Sequence, residues 1–222
     1  MLDEYVRFGC ERVKAGAANP TPKLTSIIAG MAAGASSIDD LDVVRAGGMK
    51  QVFTGVSAAA TLGILLREFT FGHVSQLAAV LRRHLLALAE RTKVLDGIEQ
   101  QAYVDIDSLL RPVYGHAKQG ASFGHTKIAG KNVLRRGLSL LATTISTPTA
   151  APVVAGIRLR AGRAGSAKGA ASMVTDGVAT ARAVGATRIV ARGDSAYGNG
   201  PVATAARTAG AMFSLVLART PP

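Results

Sequence analysis

With 222 residues, 48% of them apolar, the chain can bury the core of one large domain or two small ones and is not a disordered polypeptide. Trp is absent and only 5% of residues are aromatic, so the core is expected to be aliphatic, with small residues where elements touch. The net charge of +12 is lopsided: residues 1–110 carry 11 basic and 12 acidic side chains, net −1, and residues 111–222 carry 15 and 2, net +13.

A half so basic attracts phosphate backbones by releasing their condensed counterions, largely without regard to base sequence. The single cysteine, Cys10, excludes an internal disulfide and a zinc ribbon and fits a reducing compartment. No apolar run reaches the roughly 18 residues that span a bilayer. The start, with Asp3, Glu4, Arg7 and Glu11, lacks the apolar core of a secretory signal. A soluble, cytoplasmic protein with no membrane partner is expected.

Residues 1–20 read as an arm or linker closed by Asn19-Pro20-Thr21-Pro22, where proline disfavours helix continuation. An Ala-rich helix is expected from Lys23 to Gly34. A second, short helix is capped by Ser37, with Asp39 and Asp40 in its first turn, and Gly47-Gly48 ends it. Two amphipathic helices follow, Ala58 to Thr70 and Val74 to Thr92, the second with Leu77, Val80, Leu81, Leu85 and Leu88 near helical period. The first hundred residues are thus a helical region and a candidate for DNA binding, although they carry no clean helix-turn-helix signature.

The period then changes. Ala102 to Asp107 alternates, placing Asp105 and Asp107 on one face of a strand and Val104 and Ile106 on the other. Residues 111–137 read as a basic, glycine-interrupted connection. Strands are expected at Leu138 to Thr147 and Pro152 to Arg160. A helix from Ser166 to Val184 is closed by Gly185, a strand runs from Thr187 to Arg192, a helix from Pro201 to Ala209, and a last strand from Ala211 to Ala218. Three meandering strands followed by strands joined through helical crossovers is the order of a ribonuclease H-like sheet. In that fold the first strand and the end of the fourth each supply a carboxylate, the places of Asp107 and Asp194. Such hard oxygen donors suit Mg²⁺ or Mn²⁺ in phosphodiester chemistry.

Three further runs bear on function: Tyr103-Val104-Asp105-Ile106-Asp107-Ser108-Leu109-Leu110-Arg111-Pro112-Val113-Tyr114-Gly115, then His116-Ala117-Lys118-Gln119-Gly120, and Arg192-Gly193-Asp194-Ser195-Ala196-Tyr197. Together they resemble insertion-sequence transposases of the DDE class, particularly their actinobacterial branch. The likeness extends to Ala29 through Gly34, to Asp39-Asp40 and to Phe69-Thr70-Phe71-Gly72-His73. It implies metal-dependent DNA cleavage and strand transfer on double-stranded DNA, both transposon ends and target, by an Asp, Asp, Glu triad in a nucleoid-associated protein. Asp107 matches the first triad acid, with Asp105 as the fallback, and Asp194 the second. The third acid, a Glu beyond the fifth strand in that family, has no counterpart, because no Glu follows Glu99. The chain therefore reads as a C-terminally truncated form, inactive by itself; the alternative is a non-enzymatic DNA-binding remnant or inhibitor of the full-length enzyme.

The expected architecture is α/β (α+β), with a helical region over residues 1–100 and a partial ribonuclease H-like domain over 101–222, whose last strand lacks a covering helix and leaves apolar surface open. A homo-oligomer is compatible with the sequence. Other motifs carry less. His116 and His125 have no third nitrogen or sulfur ligand nearby for a metal site. The Gly162-to-Gly169 stretch fails the Walker spacing, with Lys168 followed by Gly169, so binding of ATP or NAD is not expected. Cys10 has no basic setting that would mark it as a nucleophile.

Overall fold

The computed structural model of the chain describes residues 2–6, 18–115 and 118–217. They form two compact units, Met1–Val80 and Leu81–Pro222. Cys10 and His116 lie outside the described residues.

The first unit is helical: α1 (Leu2–Tyr5), α2 (Pro20–Ala32), α3 (Leu41–Val44), a 3-10 turn (Gly47–Gln51), α4 (Ala59–Arg67) and the start of α5 (Phe71–Arg91). Val6, Leu24 and Leu65 form its buried centre, with Leu2, Phe69, Leu77 and Val80 packed against them. The prolines of Asn19-Pro20-Thr21-Pro22 open α2 and do not interrupt it, because the missing N–H of a first-turn proline has no intrahelical partner to lose. The expected cap differs too. Asp40 rather than Ser37 stands at the N-cap position of α3, without a side-chain cap bond, and its carboxylate accepts hydrogen bonds from the backbone N–H groups of Ser37 at 2.8 Å and Ser36 at 2.9 Å in the turn before the helix. Those donors, Ser37 first, hold the Asp40 carboxyl below its ordinary value.

The second unit is a mixed α/β structure. Its strands are β1 (Ala102–Pro112), β2 (Ser122–Ile128), β3 (Lys131–Ser146), β4 (Val153–Ala161), β5 (Ile189–Gly193) and β6 (Met212–Leu215), with α6 (Ala170–Val184) before β5 and α7 (Gly200–Thr208) before β6. β3 lies antiparallel to β1, and β5 and β6 extend the sheet in parallel on the far side of β1. β2 and β4 share β3 end to end, β2 pairing Lys131 to Gly137 and β4 pairing Leu138 to Ile145.

α6 crosses the face that carries Val104 and Ile106 and can do so closely because of Gly177, where a Cβ would stand 2.7 Å from Val104 Cγ1. α7 lies beside α6. Ala102, Val104, Leu141, Ile145, Val174, Val178, Val202 and Ala206 form the core, and Leu85, Leu95 and Ile98 close it from the segment before the strands. α6 ends on Gly185 at φ 118°, the left-handed cap that the sequence led us to expect. The opposite face of the sheet leaves Leu109, Val154, Ile157 and Leu159 exposed.

Two expectations need correction. The connection expected over 111–137 is largely strand: β1 runs on to Pro112, β2 occupies 122–128, and β3 begins at Lys131 after the tight Ala129-Gly130 turn, both of whose residues have positive φ. This hairpin has little apolar alternation because Phe123, His125, Leu134 and Arg135 are all exposed, so no buried face imposes a period of two. As a consequence Asp107 sits in the middle of a strand and not at its end. α6 also starts at Ala170, later than Ser166, since residues 166–169 fold as turns around an arginine described below.

Candidate active site

β1 pairs with β5 only from Ala102 to Ile106, where Ile106 lies opposite Gly193. One step further the two strands part. Asp105 is level with Arg192, so the parallel register carries Asp107 level with Asp194, on strands spaced by about 4.8 Å where they pair. Both aspartates are exposed at this fork. Asp107 Oδ1 accepts from the Ser108 N–H at 2.6 Å. Asp194 Oδ1 accepts from the Ala196 N–H at 2.9 Å, an Asx turn that re-aims the chain towards α7 and leaves the other carboxylate oxygen uncommitted to it. Asn199 caps α7, through a 3.1 Å bond from the Val202 N–H.

Asp105 is held differently. Arg192 grips it bidentately, Nε to Oδ1 at 2.6 Å and Nη2 to Oδ2 at 2.8 Å, and the guanidinium carbon lies 4.1 Å from the centroid of the Tyr103 ring. The hydrogen bond to Asp105 outweighs burial and raises the Arg192 pKa. Asp105 thus ties β1 to β5, while Asp107, two residues on, keeps its carboxylate for other partners. Asp176, the remaining acid of the basic half, sits on α6 with its carboxylate 4.0 Å from Arg82. Among the described residues no three His, Cys, Asp or Glu side chains gather as a metal-binding group.

Tyr197 packs beneath this fork. It is fully buried, at 0% exposure, and no atom meets its hydroxyl in hydrogen-bond geometry, although Ser108 lies close enough to favour the ionised phenol. Burial pushes the phenol above its ordinary pKa, and the charges of Asp107 and Asp194 push the same way, against Ser108 and Arg160. The donor set fits a hard divalent cation: two carboxylates on adjacent strands, with a buried hydroxyl lacking a partner close by. It offers two protein carboxylates and no third.

Next to the fork lies a second cluster that the sequence reading did not single out. Arg160 of β4 donates through Nη1 to the carbonyl oxygens of Gly165 at 3.1 Å, Ser166 at 3.0 Å and Lys168 at 2.7 Å, and through Nη2 to Ser139 Oγ at 2.8 Å. Burial lowers its pKa, and among the described residues no carboxylate pairs with it. Ser108 Oγ lies 3.2 Å from Ser166 Oγ. Arg160 was detectable only as an arginine at a period-two position that, through its pairing with Ser139, falls on the covered face of β4. Neither a protein-family model nor a curated protein nor a solved structure matches the chain.

Proposed function

We propose that the chain is a DNA transposase of the DDE class, with a ribonuclease H-like sheet that holds Mg²⁺ or Mn²⁺ at Asp107 and Asp194 against double-stranded DNA, and that it works at the nucleoid. The observation that carries this reading is the fork of β1 and β5, which sets these two carboxylates level with each other above the buried Tyr197 hydroxyl. The order β4, β3, β1, β5, β6 across the sheet supports it, as does the excess of 15 basic over 2 acidic residues in 111–222.

Asp107 and Asp194 would ligate the cation, and Asp105, fixed by Arg192, would set the spacing of their two strands. The bound metal supplies charge stabilisation for the attacking and leaving oxygens of a phosphodiester displacement. The surrounding Lys and Arg hold the DNA backbone. Among the described residues no three acids gather as a metal-binding group, Asp105 being held by Arg192, and this favours a second reading, a DNA-binding protein that occupies transposon ends or pairs with an active enzyme without cutting.

Titration calorimetry with Mn²⁺ tests the site. Asp107→Asn and Asp194→Asn should each weaken binding by tenfold or more, since each removes a charged ligand from a two-carboxylate set. Asp105→Asn should leave it within about twofold. If Asp105→Asn is the damaging change, the first ligand is misassigned; if all three bind as the wild type does, the carboxylate site is wrong. Cleavage of duplex ends by the wild-type protein in Mn²⁺ would decide against the non-cutting alternative.

A further inference from the structure

Beside the fork, and directly after Asp107 in sequence, Ser108 forms part of the wall of a cleft of about 500 Å³. Its other walls come from Phe123, His125 and Leu134 of the β2–β3 hairpin, from Ser139, and from the Gly162–Ser166 loop with Arg163. The volume lies in the range of small-ligand sites, roughly 300–1,000 Å³. No acidic residue lines it.

The hydrogen bonds around the cleft leave donors with nothing to donate to. Ser139 Oγ already accepts from the Arg160 guanidinium, so its own proton is free for another acceptor. Ser166 Oγ accepts from Ser108 in the same way and keeps its proton. Two hydroxyl donors, Arg163 beside them and the guanidinium of Arg160 behind Ser139 together make a setting for an anion. Phe123, 60% exposed although it is a large apolar ring, supplies a flat face on the same cleft. An anion site next to an exposed aromatic face is the pairing that single-stranded nucleic acid requires, phosphate on donors and base on ring.

We propose that this cleft takes one nucleotide unit, its phosphate on Ser139, Ser166 and Arg163 and its base stacked on Phe123, and that the unit belongs to a single-stranded segment of nucleic acid. The choice of a polynucleotide rests on the DNA reading given above; the donors and the ring do not.

Fluorescence anisotropy of a labelled oligothymidylate, measured with the full chain in chelator at low salt, tests the proposal without any metal. Phe123→Ala should weaken binding about tenfold, the scale of one lost base stack. Arg163→Ala should weaken it and flatten the salt dependence by roughly one ion. Phe71→Ala, which removes a ring 87% exposed outside the cleft, should change nothing. Phe123 and Arg163 are both exposed, so their variants should keep the wild-type melting temperature, which thermal melting checks. Thymidine monophosphate competing as strongly as the oligomer, with the same dependence on both residues, would keep the subsite and assign it to a free nucleotide. Wild-type affinity in both variants, or binding of neither probe, overturns the proposal. Oligomer binding in chelator is read separately from the Mn²⁺ calorimetry. Loss of metal binding alone therefore sinks the transposase reading, and loss of dependence on Phe123 alone sinks the cleft.

Discussion

Gly162→Ala is expected to lower the unfolding free energy by about 3 kcal/mol, at the upper end of overpacking costs. A Cβ at Gly162 would stand 2.2 Å from Ser122 O and 2.4 Å from Gly137 O. Both are backbone oxygens within paired strands, so neither can rotate away as a side chain would. The neighbouring glycines face the same constraint: a Cβ at Gly124 would lie 2.2 Å from Gly162 O, and one at Gly137 would lie 2.4 Å from Arg111 O. Four strands draw together here only because three side chains are missing. Urea unfolding should show a lower midpoint at unchanged slope, the signature of an altered native state. Gly165→Ala is the matched control, since a Cβ there meets nothing within 4 Å and its cost should stay within about 0.5 kcal/mol. Equal midpoints for the two variants would show that the strands do not converge as described.

Arg160→Met is expected to cost about 2–4 kcal/mol. Methionine keeps much of the aliphatic stem but none of the donors, so three carbonyl oxygens and the buried hydroxyl of Ser139 lose the guanidinium that satisfies them. Hydrogen bonds from a charged donor are worth about 1.5–3 kcal/mol each, and water reaching the outer carbonyls recovers part of the sum. Arg160→Lys should rescue little, because one ammonium cannot replace a planar fork that reaches loop and serine together. Hydrogen exchange should locate the damage in residues 163–169, with β1 and α6 protected as before. If Arg160→Met unfolds at the wild-type midpoint, the loop is held by something other than this guanidinium.

The alternation of strand and helix after residue 100 could be read because each element has a buried face: Val104 and Ile106 in β1, Val174 and Val178 in α6, Val202 and Ala206 in α7. The β2–β3 hairpin has no such face, and its only local signal was the Ala129-Gly130 turn. β4 misleads a reader who uses pattern alone. Its apolar residues Ile157 and Leu159 are exposed, while Arg160 turns inward to carbonyl acceptors supplied by a loop that follows it. Of the site, strand order puts Asp107 and Asp194 on neighbouring strands. Their level placement and the grip of Arg192 on Asp105 do not follow from it, because both join residues 87 positions apart through a register that only the folded sheet defines. Tyr197 lay within a recognised motif, yet its burial without a partner depends on packing that no spacing encodes.

β3 is one strand with two mechanical roles. From Leu138 to Ile145 it is clamped between β1 and β4, and several of its side chains are buried in the core. From Lys131 to Gly137 its partner is β2, and the pair is joined by a two-residue turn. The outer half can therefore lengthen, shorten or change its tip residues while the inner half keeps its register. Variation in length among sequences of this architecture should gather at Ala129-Gly130, where the arm can change without disturbing the register of the inner half.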